Sequence, residues 1–192
     1  ETLHDSLNRL RRLTLPRAFD VLRQMGAALD YAHSQRVIHR DLKPSNVMVE
    51  KGLNGTPAAP QASDAPDDLK VAWAVKVMDF GIAHQAKRTV AKMTRAAAYG
   101  TPPYMAPEQE LGQVSRESDL YALGVCFYEM LTGEIPFPGP NFLAQKKGLL
   151  FNAPSSIVPG LPPAMDAVLR RALAPDPAAR FHNAVEMLNA AH

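Results

Sequence analysis

The run His39-Arg40-Asp41-Leu42-Lys43-Pro44-Ser45-Asn46 constrains this chain more than any other stretch. It sets a candidate base, Asp41, and a candidate oxygen ligand for a hard metal ion, Asn46, at a fixed separation in one short loop. Whatever flanks that loop must hold its shape. Upstream, the Thr14 hydroxyl at a cap position, an early Pro16, and Phe19, Leu22, Met25, Leu29 and Ala32 at helical spacing predict a helix that delivers the chain to the loop. Downstream, Val47-Met48-Val49 reads as a short strand. His33, near the helix end, has no second metal-type residue beside it at helical spacing and reads as a packing or hydrogen-bonding histidine.

Composition changes abruptly at Gly52. Residues 52–69 are rich in Gly, Pro, Ala, Ser and Asp without periodicity, the pattern of a disordered polar insertion. Asp64, Asp67 and Asp68 lack the glycine and glutamate that a calcium loop of the EF-hand kind requires. Beyond it, Val71, Trp73, Val75 and Val77 alternate with Ala72, Ala74, Lys76 and Met78, so the two strands predict a hairpin with an oversized connection.

The second half reads as helices. One is capped near Ser118-Asp119, runs through Leu120, Leu123, Phe127, Met130 and Leu131, and stops at Gly133. Its apolar content predicts a buried spine. Shorter helices are expected near Phe142 to Leu150, from Pro163 to Leu173 and from Asn183, with proline-rich breaks between them. A chain of 192 residues, 46% hydrophobic, buries roughly 70% of its unfolded surface as a single domain. The 21 basic and 19 acidic residues leave a net charge of +2, so no single-signed field draws in nucleic acid or an anionic membrane. The lone Cys126, in an apolar run, reads as a buried, inert thiol and favours a reducing compartment. No stretch is long and apolar enough for a membrane span and no signal peptide opens the chain, so a cytoplasmic location is expected, with any membrane anchor lying elsewhere in a longer parent.

The eight-residue loop, followed in order by Asp79-Phe80-Gly81 and Ala106-Pro107-Glu108, resembles the catalytic core of eukaryotic-type Ser/Thr protein kinases, in the style of the bacterial members. The resemblance implies a mainly α fold, the large C-terminal lobe, spanning 1–192 with a short β-hairpin beside the catalytic loop. It implies transfer of the γ-phosphate of ATP to serine or threonine of protein substrates, with two Mg²⁺ ions. Asp41 matches the base that orients the acceptor hydroxyl, Asn46 and Asp79 the metal ligands, and Met48 the apolar floor beneath adenine. Lys43 and Thr101 match the pair that marks the Ser/Thr-directed branch. Arg40 matches the guanidinium that binds a phosphorylated activation-loop residue, for which Thr94 and Thr89 are candidates. His39, Phe80, Gly81, Glu108, Asp119 and Arg180 match structural positions: Glu108 with Arg180 as an ion pair, and Asp119 as the anchor of the His39-Arg40 backbone.

The same resemblance implies a small N-terminal β lobe that these residues do not contain, because no glycine-rich loop or strand lysine precedes Asp41. Two hinge hydrogen bonds at about 1 kcal/mol each and one charged contact at roughly 1.5–3 kcal/mol would be lost, about a thousandfold in nucleotide affinity. The chain alone is therefore expected to be inactive or very weak. The alternative is a naturally truncated kinase-like scaffold that binds partners without catalysis. Either way, the face around Met48 and Phe80 is expected to expose an apolar patch that invites self-association.

Overall fold

A computed structural model describes residues 1–52, 71–80 and 100–191. Gly81, Thr89, Thr94, their basic neighbours and nearly all of the 52–69 insertion lie outside the described residues. The chain opens with α1 (Leu3–Leu10) and the long α2 (Leu15–Ser34). A short 3₁₀ turn, Pro44–Asn46, leads into β1 (Val47–Lys51), which pairs with β2 (Trp73–Val77). After a second 3₁₀ turn, Pro102–Tyr104, come α3 (Pro107–Glu110), α4 (Arg116–Thr132), α5 (Phe142–Lys147), α6 (Pro154–Ile157), α7 (Ala164–Ala172) and α8 (Ala184–Ala190).

Local chemistry explains most boundaries. Thr2 and Asp5 start α1 as a reciprocal capping box: Thr2 Oγ1 accepts the Asp5 N–H at 3.1 Å and the Asp5 carboxylate accepts the Thr2 N–H at 3.0 Å. Extended Thr14 and an early Pro16 start α2, whose inner face of Val21, Leu22, Met25 and Leu29 is wholly buried. Midway along it, a Cβ on Gly26 would lie 2.6 Å from the Ala184 Cβ, so only glycine lets α2 and α8 cross this closely. Phe19 packs on Phe127 of α4 with ring centroids 5.5 Å apart.

The hairpin is antiparallel, as the alternation predicts, with Val47 opposite Val77 and Val49 opposite Val75. Val47, Val49 and Trp73 point into the core, while Met48 pairs with Lys76 on the other face. Val71 falls outside the strand and is exposed. Helix α2 supports the hairpin through its polar side chains. The Gln24 amide donates to the Trp73 carbonyl at 2.8 Å and accepts the Val75 N–H at 2.9 Å, occupying backbone groups that β2 would otherwise leave unpaired. Arg17, 4% exposed, donates to the Val71 carbonyl at 2.6 Å and stacks over the Trp73 ring.

Helix α4 is the spine. It starts at Arg116, earlier than the Ser118-Asp119 cap expected from sequence, because Ser115 takes the cap position and its N–H donates to Ser118 Oγ at 3.1 Å. The Asp119 carboxylate is thereby released for another task. Every residue from Ser118 to Thr132 is buried, and the helix stops at Gly133, whose φ of 76° places it in the left-handed region. Burial pushes the Cys126 thiol up, consistent with an inert core cysteine. Among the described residues no helix is long and apolar enough to cross a membrane.

The lower helices are tied to α3 by one buried cation. Arg180 grips Glu108 with two bonds of 2.7 Å and donates its other three N–H groups to the carbonyls of Ala174, Glu117 and Pro175. All five donors are used, which is what makes a fully buried guanidinium tolerable. Replacing it apolarly strands Glu108, so Arg180→Met is expected to cost about 3–5 kcal/mol in urea unfolding. Beside it, the buried Tyr121 hydroxyl has no partner among the described residues. Tyr121→Phe is therefore expected to raise stability by about 1 kcal/mol, read as about 2–4 °C in thermal unfolding.

Candidate active site

The loop expected to carry the chemistry hangs from Asp119, in the first turn of α4. This carboxylate, 2% exposed, accepts the backbone N–H groups of His39 and Arg40, each at 2.8 Å. It also meets His33 Nε2 at 2.8 Å. His33 is thus the hydrogen-bonding histidine its sequence context suggests, with a partner that sequence does not disclose. Arg40 sits at φ 74°, a strained conformation for a residue with a Cβ, and both its peptide groups are held. Its N–H goes to Asp119 and its carbonyl accepts the Gln109 side-chain amide at 2.5 Å.

A second clamp joins the loop to β2. His39 Nε2 bonds the Met78 carbonyl at 2.8 Å, while the Asp41 N–H points at His39 Nδ1 at 3.3 Å. These partners assign the ring proton to Nε2. The Met78 N–H in turn donates to the Asn46 carbonyl at 2.8 Å. Met78 is therefore fixed on both sides, and Asp79, which follows it at φ 60°, is delivered exposed at the hairpin end. Phe80 stacks against His39 with centroids 4.8 Å apart.

The loop's own side chains converge on Thr101. Asp41 Oδ1 accepts both the Thr101 N–H and its hydroxyl, each at 3.0 Å, while Asp41 Oδ2 pairs with Lys43 Nζ at 2.9 Å. Lys43 Nζ closes the triangle by donating to Thr101 Oγ1 at 2.6 Å. The Asp41 side chain remains 39% exposed, so it is held in place yet open to a reactant. Asn46 Nδ2 donates to the Asp41 carbonyl at 2.8 Å, which commits the amide nitrogen inward and leaves Oδ1 as an acceptor.

That oxygen and the Asp79 carboxylate are a hard donor pair on two segments joined backbone to backbone. Among the described residues no group of three or more His, Cys, Asp or Glu side chains is arranged to hold a metal by itself. Two oxygens without a cage suit Mg²⁺, which keeps waters and shares its coordination with phosphates. Met48 is half-buried, on the hairpin face away from the core. Phe80 is half-buried as well, and the large exposed apolar side chains among the described residues, such as Tyr31 and Leu150, lie elsewhere.

Three contributors escaped the sequence reading. Gln109 holds the Arg40 carbonyl. Glu129 of α4, buried and pushed up by desolvation, accepts the Tyr104 hydroxyl at 2.7 Å. Lys146 of α5, wholly buried, donates to the Pro102 carbonyl at 2.6 Å. The only sequence signal for the last two was a charge at an otherwise apolar position of a helix.

The protein kinase domain family matches residues 1–190. The chain is 39% identical over 165 residues to the probable serine/threonine-protein kinase PknB of Bifidobacterium longum, covering 83% of this chain and 21% of that protein. It is 37% identical over 182 residues to the serine/threonine-protein kinase Pkn1 of Myxococcus xanthus, covering 90% of this chain and 24% of the relative. It is 36% identical over 191 residues to the serine/threonine-protein kinase PknB of Mycobacterium tuberculosis, covering 97% of this chain and 27% of the relative. The chain thus spans about a quarter of the length of these relatives. With the family match running almost end to end over a loop, a hairpin and a Glu108–Arg180 pair that the geometry ties together, this chain belongs to the protein kinase domain family.

Proposed function

We propose that these residues form the large lobe of a Ser/Thr protein kinase of the bacterial type, acting on protein substrates. The observation that carries this reading is the closed Asp41–Lys43–Thr101 triangle. Asp41 is the base: it orients an incoming hydroxyl and takes its proton on the carboxylate as the oxygen bonds to the γ-phosphorus and the bond from that phosphorus to the departing ADP oxygen breaks. Lys43, beside it, offsets negative charge that develops on the transferring group. Thr101 holds both and begins the segment that seats the substrate chain. Asn46 Oδ1 and the Asp79 carboxylate are the groups to hold Mg²⁺, with two ions assigned to the site. When bound, Mg²⁺–ATP supplies the phosphoryl group and the positive charge that screens its oxygens. Met48 provides the apolar surface beneath adenine.

Residues outside this chain complete nucleotide binding in this reading, so the chain alone binds ATP weakly. Its relatives are three to five times as long, which is consistent with that division. Because the phosphoryl donor is ATP, the lobe is assigned to the cytoplasmic side. Regulation is assigned to Arg40, whose buried Nε has no hydrogen-bond partner among the described residues. A phosphorylated Thr94, or Thr89 as second choice, would supply the anionic acceptor that this guanidinium lacks.

In the full-length natural protein, Asp41→Asn is expected to lower ATP-dependent phosphorylation of serine or threonine by about 10²–10⁴-fold while thermal unfolding stays near wild type. Equal activity of the two would sink the kinase reading, and transfer confined to tyrosine would sink the role given to Lys43 and Thr101. Thr94→Ala is expected to lower activity and remove a phosphopeptide from the map of the purified enzyme. Unchanged activity and an unchanged map would eliminate Thr94 as the regulatory site.

A further inference from the structure

The segment Thr101–Tyr104 has an unusual supply of hydrogen-bond donors. Pro102 and Pro103 carry no N–H, so only the Thr101 N–H is available over three residues, and Asp41 takes it. A segment with one amide free to bond other elements has to be fastened largely through its carbonyls and side chains. Lys146 is such a donor. Its Nζ, with a side chain 0% exposed, donates to the Pro102 carbonyl at 2.6 Å and pairs with Glu110 at the end of α3. The Phe142 ring lies 5.4 Å away and closes the slot.

Stability alone gives no reason for this arrangement. A buried ammonium loses its hydration, and burial draws the Lys146 pKa down despite the Glu110 carboxylate beside it. Apolar chains in place of both Lys146 and Glu110 would fill the slot without that cost. What an apolar chain cannot do is hold the Pro102 carbonyl, one peptide beyond the Thr101 that bonds Asp41. Tyr104 is fastened in the same style, by its hydroxyl to Glu129. Three charged anchors on three different elements therefore fix the segment: the Asp41 loop, α5 and α4.

We propose that Lys146 is a positioning residue for protein substrate, setting the Pro102 carbonyl and with it the seat of the acceptor chain while leaving nucleotide binding untouched. This rests on the kinase reading and on the role that reading gives to Thr101. The test is steady-state kinetics of the full-length protein, with a threonine peptide that the wild type phosphorylates and with ATP, each varied in turn. Lys146→Met is expected to raise the peptide KM by about ten- to a hundredfold, the scale of one charge-assisted hydrogen bond, with the KM for ATP within about twofold. Amide exchange at Tyr104 and Met105 should accelerate in the same variant. Glu110→Gln, which keeps the ammonium on Pro102, is expected to leave the peptide KM near wild type.

Lys146→Arg places a larger donor in a closed slot and should raise the peptide KM by a smaller factor, again without moving that for ATP. It carries the test alone where Lys146→Met does not fold. An active wild type whose folded Lys146 variants keep the wild-type peptide KM, or raise both KM values equally, overturns the inference alone. So does a Glu110→Gln enzyme as impaired as Lys146→Met. A wild type that phosphorylates no peptide or protein overturns the kinase reading and this inference together.

Discussion

The Asp119 carboxylate is the point on which the site depends. It is almost wholly buried and lies in the first turn of α4, where the helix dipole favours a negative group. Two backbone N–H groups and a histidine ring satisfy it. Those two N–H groups belong to His39 and Arg40, so the loop that bears Asp41 is pinned to the most buried helix of the protein. A surface loop held only by its own turns would sample several shapes. This one inherits the rigidity of α4.

That pin makes a strained backbone affordable at Arg40. A positive φ in a residue with a Cβ costs about 1–3 kcal/mol and persists only when neighbours over-determine it. Asp119 holds the N–H and Gln109 the carbonyl, so the peptide has little freedom to relax. Asp79 shows the same logic at the end of the hairpin. It also stands at positive φ, and the preceding Met78 is tied to His39 and to Asn46. Both strained residues adjoin groups proposed for chemistry, and both are bounded by bonds to the same His39–Asn46 loop.

Much of this was legible beforehand because it is local or periodic. The 3.6-residue pattern located α2, α4 and α7, the two-residue alternation located the hairpin, and Asn183 and Gly133 marked a start and a stop. Asp41 and Asn46 share one short loop, so their pairing was local, whereas the roles of Lys43 and Thr101 came from the resemblance to kinases. Failures came where two meanings share one residue type. Ser118-Asp119 has the composition of an N-cap, yet Ser115 and Ser118 do the capping, while Asp119 holds the loop backbone as the kinase resemblance implied. Distant contacts that the kinase resemblance did not supply were invisible for a different reason. His33 meets Asp119 across 86 positions, Gln109 meets Arg40 across 69, and Lys146 meets Pro102 across 44. No local period encodes such a pairing; only the packing of α2, α3 and α5 around α4 creates it.

Three of the buried charges follow one rule, which separates them from ordinary ion pairs. Arg180, Lys146 and Asp119 each bond backbone groups as well as charged or ionisable side chains, and apart from the Glu117 carbonyl in α4 those backbone groups lie outside the α-helices and strands. Arg180 takes the carbonyls of Ala174 and Pro175 after α7; Lys146 takes that of Pro102 beside a second proline; Asp119 takes the N–H groups of a loop with a left-handed residue. A buried salt bridge by itself contributes little to stability against an apolar replacement. Fixing the path of irregular backbone is different, because hydrophobic contacts are non-directional and cannot specify a loop. Lys146 and Asp119 therefore act where the chain has neither α-helix nor strand to define it, on the segments that adjoin Asp41 and Thr101.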